Sequence, residues 1–382
     1  MHSSIVCGCS GRIRAVPRVA FTLEQCWHRV PGGTAVAAIE LARALREHTT
    51  VELIGVAARH RRPAPAQFTP PIAVEQLPLP RLALYEAWHW LRGPRVERAT
   101  GPIDLVHATS IAIPPKSAPL VVTVHDLAFL HEPSHFTRRG LSFFRRGLEL
   151  AKRDADLVIC VSHATVRDCI NAGFDPDRLM TIPLGVDMAR AEGHDVDRVK
   201  KTYGLGRPYI MWTGTIEPRK NLRGVVEAFR ALPSQLGLDL VLVGPKGWNE
   251  DIDALVAPAR ERIRVLGFVP RADLAPLYAG ADVFCWPSLR EGFGFPVLEA
   301  MTQGTPVVTS KGTSTEELAA GAGVLVNPLD SEEIAAGLRS VLEDDALAAK
   351  LSDDGMGRAA EYTWARTARL TADTYSRVTG KR

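Results

Sequence analysis

Tyr209-Ile-Met-Trp-Thr213 is followed by Gly214-Thr-Ile-Glu-Pro-Arg-Lys-Asn221 and then by Leu222–Leu232. The first run is short, apolar and rich in strand formers. The second carries a glycine and a proline, which break regular structure. The third has apolar residues at helical spacing. Strand, glycine turn and helix in that order mark the start of a βαβ series.

The same grammar extends in both directions. Upstream, Val19–Leu23, Val51–Val56, Leu105–Ala108, Leu120–Val124 and Leu157–Val161 read as strands. Thr34–Glu47 reads as a helix, with Val36, Ile39, Leu41 and Leu45 on one face and Glu40, Arg43 and Arg46 on the other. Downstream, Leu238–Val243, Ile263–Leu266, Val283–Pro287 and Pro306–Thr309 read as strands. Asp273–Ala279, Val297–Thr302, Ser331–Leu342 and Ala346–Ala360 read as helices. Apolar runs without alternation belong to parallel sheets covered on both faces. Two successive series predict an α/β protein of two Rossmann-like domains. The expected division is 17–186 and 187–363, with 364–382 as a terminal helix free to pack on either. Pro63, Pro65, Pro70, Pro71, Pro78 and Pro80 make 62–82 a surface excursion.

Composition agrees with a globular chain. Of 382 residues, 46% are hydrophobic and 23% charged, and mean hydropathy is −0.01. These values exclude a mostly disordered chain, a collagen and a coiled coil. No apolar run reaches the ~18 residues of a spanning helix, and Met1–Pro17 lacks the apolar region of a secretory signal. The six cysteines form no CxxC pair, so a reduced interior and a cytoplasmic location are expected. Cys7-Gly-Cys9 is too isolated for a metal site. Residues 1–185 hold 22 Lys and Arg against 16 Asp and Glu, while the remainder holds 24 against 27. The front half is the one suited to an anionic partner. Thr137–Arg153, with six cations beside Phe143, Phe144 and Leu148, is a basic amphipathic stretch that suits an anionic membrane surface. No nucleic-acid motif is present.

Four constellations point to chemistry. Gly32-Gly33 follows a strand and opens a helix, where backbone amides and the helix dipole favour an anion. The spacing is not GxGxxG, and no acidic residue ends the next strand, which disfavours a nicotinamide dinucleotide. His125, followed by Asp126, closes Leu120–Val124 and falls at the carboxyl edge of the sheet, where ligands bind. Arg219 and Lys220 precede a helix and supply two cations suited to a diphosphate. In Arg290-Glu-Gly-Phe-Gly-Phe-Pro-Val-Leu-Glu299, Gly292 and Gly294 open a loop of amides. Pro296 suits the first helical position, which puts Glu299 in the first turn and Glu291 on the preceding loop. Glu299 there also answers the helix dipole. No nucleophile elbow and no metal-spaced His/Cys cluster accompany them.

Taken together these motifs resemble the family 4 glycosyltransferases of the GT-B fold, particularly bacterial mannosyltransferase-like members. The resemblance rests on Gly214–Asn221, Val241-Leu-Val-Gly244, Leu266-Gly-Phe-Val269, Leu277–Asp282 and Pro287–Met301, with Glu291 and Glu299 matching the family's Glu-x7-Glu pattern. It implies an acceptor-side domain and a donor-binding domain facing each other across a cleft, with 364–382 a helix crossing back to the first, and a retaining hexosyl transfer from a nucleotide sugar, GDP-mannose before UDP- or ADP-sugars. The acceptor it implies is a glycan, a polyprenol-linked glycan or a lipid, in cell-envelope or polysaccharide synthesis, without metal or cofactor. By the same resemblance Glu299 holds the nucleotide ribose, and Glu291 with Gly292, Phe293, Gly294 and Phe295 grips the donor sugar. Arg219 and Lys220 neutralise the diphosphate beside Gly214, and Gly32 and Gly33 approach it from the first domain. His125 stands near the anomeric carbon. Glu316 or Glu317 falls where the family has a Pro-Glu helix start, with Thr315 in place of the proline. Thr215 stands where some relatives have an additional arginine. A nucleotide-sugar binder without transfer activity is the rival reading.

Overall fold

The computed structural model describes residues 16–28, 32–247 and 251–380. The N-terminal leader, Cys7-Gly-Cys9 and Arg29–Pro31 lie outside them.

Seven strands form the first sheet: β1 (Arg18–Thr22), β2 (Glu52–Ala57), β3 (Val74–Gln76), β4 (Leu105–Ala108), β5 (Leu120–Val124), β6 (Leu157–Cys160) and β7 (Leu179–Thr181). Their spatial order is β3-β2-β1-β4-β5-β6-β7. Six form the second: β8 (Tyr209–Thr213), β9 (Asp239–Val243), β10 (Ile263–Gly267), β11 (Val283–Trp286), β12 (Val307–Ser310) and β13 (Val324–Val326), in the order β10-β9-β8-β11-β12-β13. Every pairing is parallel. The chain order reverses between β1 and β4 and again between β8 and β11. Each reversal leaves a crevice at the carboxyl ends of the strands, the place where doubly wound sheets bind ligands.

The unalternating apolar runs produce this arrangement. All five residues of β5, β8 and β9 are buried. Successive side chains still point to opposite faces: Val121 joins one apolar cluster, while Leu120, Val122 and Val124 join the other. The first cluster continues through the second sheet and the terminal helix, so one core runs through both halves.

Three elements depart from expectation. The proline-rich excursion contains β3, which pairs with β2 as a three-residue edge strand. Its flanking prolines are tolerated because an edge strand leaves one row of backbone groups unpaired. Beyond the irregular segment at 182–192, the polar residues Gly193–Tyr203 form a helix that buries only Val199. The helix after Gly294 begins at Phe295, one residue before Pro296.

Two connections tie the halves together. The helix Trp364–Thr379 packs on the helix Gly32–His48, and Tyr375 reaches into the first sheet, where its hydroxyl lies 2.6 Å from His107 Nδ1. His107 also contacts Thr123 Oγ1 at 2.8 Å, and burial pushes its pKa down to about 3. The ring is therefore neutral. Nearer the cleft, Glu317 accepts hydrogen bonds from the His163 and Ala164 amides at 2.8 and 2.6 Å. A carboxylate of the second half thus caps the helix His163–Asn171 of the first. Glu316 instead accepts from the Gly312 amide within its own half, which separates the two adjacent glutamates by role. Asp168 and Arg290 add a further ion pair at 3.2 Å.

Glu317→Ala removes a helix cap that bridges the halves. It is expected to cost about 1 kcal/mol and to lower the thermal midpoint by roughly 2–4 °C, with Glu317→Gln losing less, as read by scanning calorimetry.

Candidate active site

Both crevices open onto one cleft of about 650 Å³. It is lined by Gly32, Gly33 and His125 from the first half, and by Gly214, Arg219, Lys220, Glu291, Gly292, Phe293, Gly294, Phe295 and Glu299 from the second, while Glu316 and Glu317 lie outside it.

The centre of the cleft is a knot of charge. The Glu291 carboxylate is buried, at 8% side-chain exposure. It accepts hydrogen bonds from Lys220 Nζ (2.5 Å), Ser288 Oγ (2.7 Å) and Arg219 Nη1 (3.0 Å). Burial alone would raise its pKa. Arg219, Lys220 and the Ser288 hydroxyl outweigh burial and hold the carboxyl below its ordinary value. Burial favours loss of the Arg219 charge too, but Glu291, Asp126 and Glu217 keep the guanidinium firmly protonated. Lys220 goes the other way: burial lowers its pKa, with Glu291 in partial opposition. Its ammonium sits 4.6 Å from the centre of the Trp286 ring, an additional attraction for a cation.

Local structure delivers these groups. Pro218–Lys220 is a single 3₁₀ turn directly before the helix Leu222–Ala231, and Asn221 adopts a left-handed conformation (φ 53°). Asn221 Oδ1 caps that helix, and its Nδ2 donates to the Pro287 and Pro328 carbonyls. The turn is thereby fixed to the loop after β11. Gly292 touches the first half so closely that an added Cβ would lie 1.9 Å from the His125 carbonyl oxygen. Any side chain there would force the halves apart.

His125 Nε2 donates to the Thr109 carbonyl at 3.0 Å, which makes Nδ1 the acceptor nitrogen of the ring. Burial lowers its pKa, against the Thr109 bond, and leaves the imidazole neutral. Glu299 lies a full turn into its helix, not in the first turn, because that helix starts at Phe295. It receives a hydrogen bond from the Tyr278 hydroxyl at 3.0 Å. Burial raises its pKa, and Tyr278 and Arg271 only partly offset the rise. The two acids of the cleft therefore differ in kind: one is locked into an ion-pair knot that favours its charge, while burial disfavours the charge of the other.

Sequence reading missed three supports of the knot. Glu217 pairs with Arg219 at 2.8 Å, Ser288 orients Glu291, and Trp286 lies against Lys220. All three sit within or beside the quoted motifs; Glu217 and Ser288 act within their own loops, while Trp286 meets Lys220 from another. Among the described residues, no group of three His, Cys, Asp or Glu is placed to hold a metal ion.

Two family models match the chain in succession. The model described as Glycosyltransferase Family 4 matches residues 31–190, and the one described as Glycosyl transferases group 1 matches 195–357. The O-antigen chain mannosyltransferase B of Escherichia coli is 31% identical over 280 residues, 71% of this chain and 74% of that protein. This chain belongs to the family 4 glycosyltransferases. It is an enzyme that transfers sugar. A D-inositol 3-phosphate glycosyltransferase of Xylanimonas cellulosilytica is 28% identical over 411 residues, 96% of this chain and 98% of that protein. Among solved structures, Anabaena HepE in complex with UDP and glucose superposes with a TM-score of 0.75 at 22% identity, over 94% of this chain and all of that one. The family 4 enzyme described here therefore has the GT-B fold of two facing Rossmann-like domains.

Glu291→Ala leaves Arg219 and Lys220 buried without their carboxylate and is expected to lose about 3–5 kcal/mol of stability. Glu299→Gln is expected to have the opposite sign. A carboxyl whose pKa is raised by folding destabilises the fold as pH climbs through its titration, so the amide keeps or raises the thermal midpoint at neutral pH. Calorimetry of both variants checks the pair.

Proposed function

We propose that this transferase moves a hexose, mannose from GDP-mannose, to a glycan or glycolipid acceptor with retention at the anomeric carbon. The observation that carries the reading is the Arg219–Lys220–Glu291 knot facing Gly32 and Gly33 across the cleft. Mannose as the sugar is supported by the mannosyltransferase relative.

The bond from the anomeric carbon to the diphosphate oxygen breaks, and its electron pair leaves with the nucleoside diphosphate. Arg219, Lys220 and the helix N-terminus at Gly32 stabilise that developing charge. The acceptor hydroxyl oxygen forms the new bond on the same face, and its proton passes to the departing phosphate oxygen. Glu291, saturated by three donors, holds the cations in place, and the hydroxyls of the donor sugar fall to the amides around Gly292 and Phe293. Neutral His125 accepts a donor hydroxyl at Nδ1. Glu299 binds the ribose: two ribose hydroxyls favour its ionised form and offset the burial that opposes it.

The enzyme works in the cytoplasm, on the inner face of the membrane. Among the described residues no helix is long and apolar enough to cross a membrane. The basic stretch is the helix Arg138–Asp154, which buries Leu148, Leu150 and Ala151. Beside it Leu82, Trp90 and Leu91 are 57%, 58% and 81% exposed, and Arg146 stacks on Trp90 at 5.0 Å. Exposed apolar groups set among arginines suit an anionic lipid surface.

Lys220→Ala and Glu291→Ala are expected to lower kcat/KM by about 10²-fold or more, on the order of 3 kcal/mol, in transfer assays run below the variants' thermal midpoints. Near-wild-type transfer by both would end this reading. In a thermal-shift panel of GDP-, UDP- and ADP-sugars, GDP-mannose should raise the midpoint most, and Glu299→Gln should abolish the shift. Sedimentation with vesicles of anionic lipid should retain the wild type and lose Trp90→Ala/Leu91→Ala, while neutral vesicles retain neither.

A further inference from the structure

His125 is held at two points. Its backbone carbonyl accepts from the Thr165 hydroxyl at 3.3 Å. Its ring makes one hydrogen bond among the described residues, from Nε2 to the Thr109 carbonyl at 3.0 Å. A carbonyl only accepts, so Nε2 carries the proton and Nδ1 the lone pair. The direction of that one carbonyl therefore decides both the tautomer and the orientation of the ring.

Thr109 lies on the bend just after β4, beyond the last paired residue of the strand. The sheet ladder does not aim its carbonyl; side chains do. The Thr109 amide donates to Thr22 Oγ1 at 2.9 Å, and the Thr109 hydroxyl donates to the Thr22 carbonyl at 2.5 Å. The same hydroxyl oxygen accepts from Gln25 Nε2 at 2.6 Å. Thr22 is the last residue of β1, and Gln25 stands on the 3₁₀ turn Glu24–Trp27 that follows. That turn is itself anchored, because the Glu24 carboxylate accepts from the Ala58 amide at 2.7 Å, beyond the end of β2.

Thr22, Gln25 and Thr109 are 4%, 2% and 2% exposed. Burying three polar side chains is unfavourable unless their hydrogen bonds are made. A satisfied network gives direction, which apolar packing in the same space does not. It lies at the reversal between β1 and β4, directly behind His125. None of the three lines the donor cleft, so contact with the donor is not their role.

We propose that Thr22, Gln25 and Thr109 are positioning residues, which aim the Thr109 carbonyl and so hold His125 as the Nε2–H tautomer with Nδ1 presented as an acceptor. Without the network the carbonyl turns away and the ring is free to rotate or exchange its proton between nitrogens, so that an N–H replaces the lone pair. The use of Nδ1 in catalysis rests on the transferase reading above; the tautomer is measurable without turnover.

The full chain, labelled with ¹⁵N in its histidines, is followed by long-range ¹H–¹⁵N NMR, and the His125 signals are assigned by their loss in His125→Phe. The wild type should show a single Nε2–H tautomer. Thr109→Val keeps the shape of the side chain and removes its hydroxyl, and Gln25→Leu removes the amide donor. Each should give averaged tautomers at His125 and lower kcat/KM about tenfold or more. Thr109→Ser restores the hydroxyl and should recover both the tautomer and the rate. A wild-type ring protonated at Nδ1 overturns the proposal without recourse to any variant. So does a single, unchanged Nε2–H tautomer in both Thr109→Val and Gln25→Leu, whatever their thermal midpoints, since a purely structural role would lower stability and leave the ring as it was. Averaged tautomers with an unchanged rate would instead fault the part given to His125 in transfer and leave the hold on its ring standing.

Discussion

A buried carboxylate between two buried cations organises this protein. Taking Glu291, Arg219 and Lys220 out of water is unfavourable for each alone, and their mutual attraction repays it only in close geometry with the remaining polar atoms satisfied. Ser288, Glu217 and the Arg290 carbonyl supply those partners. The loops after β8 and β11 are thereby fixed to each other, and two positive charges stand at the point where the strand order of the second sheet reverses. A cleft prepared in this way needs no reorganisation when negative charge arrives.

The first half contributes by close approach. The Gly292 backbone lies against the His125 carbonyl, and Thr165 Oγ1 reaches the Gly292 carbonyl at 3.4 Å. Glu317 and Arg290 cross the same boundary. These contacts surround the mouth of the site. The terminal helix, seated on the first half through Tyr375 and His107, holds the halves in register at the opposite end.

A second cavity of about 260 Å³ adjoins the cleft on the side of the first half, and the two differ in the charges that line them. The larger cleft presents cations and backbone amides. The adjoining cavity presents carboxylates and aromatic rings. The wall they share, Thr34, His125, Asp126, Glu217 and Arg219, carries both signs. A neutral histidine in that wall is consistent with burial among polar groups that accept and donate without ionising.

Much of this was legible in the amino-acid order. Apolar runs without alternation specify buried parallel strands, and glycine or proline at their ends specifies turns, because both are local consequences of side-chain shape and backbone freedom. Leu105–Ala108, Leu120–Val124 and Tyr209–Thr213 come out with the bounds their composition sets. The residues named for the site lie on the loops and helix starts that follow strands, and the parallel topology brings those segments together. What the order could not express is pairing. That Glu291 spends its carboxylate on Arg219 and Lys220, that Glu317 caps a helix 154 positions away, and that Glu299 is pushed towards its neutral form depend on which loops meet. The strand β3 and the helix Gly193–Tyr203 were hidden for the same reason: their own residues are too polar or too proline-bound to declare a structure that neighbours supply. Composition determined the elements and their carboxyl-edge residues; tertiary contact alone decided which charges neutralise one another, because desolvation and Coulomb attraction act on distance in space and not on separation along the chain.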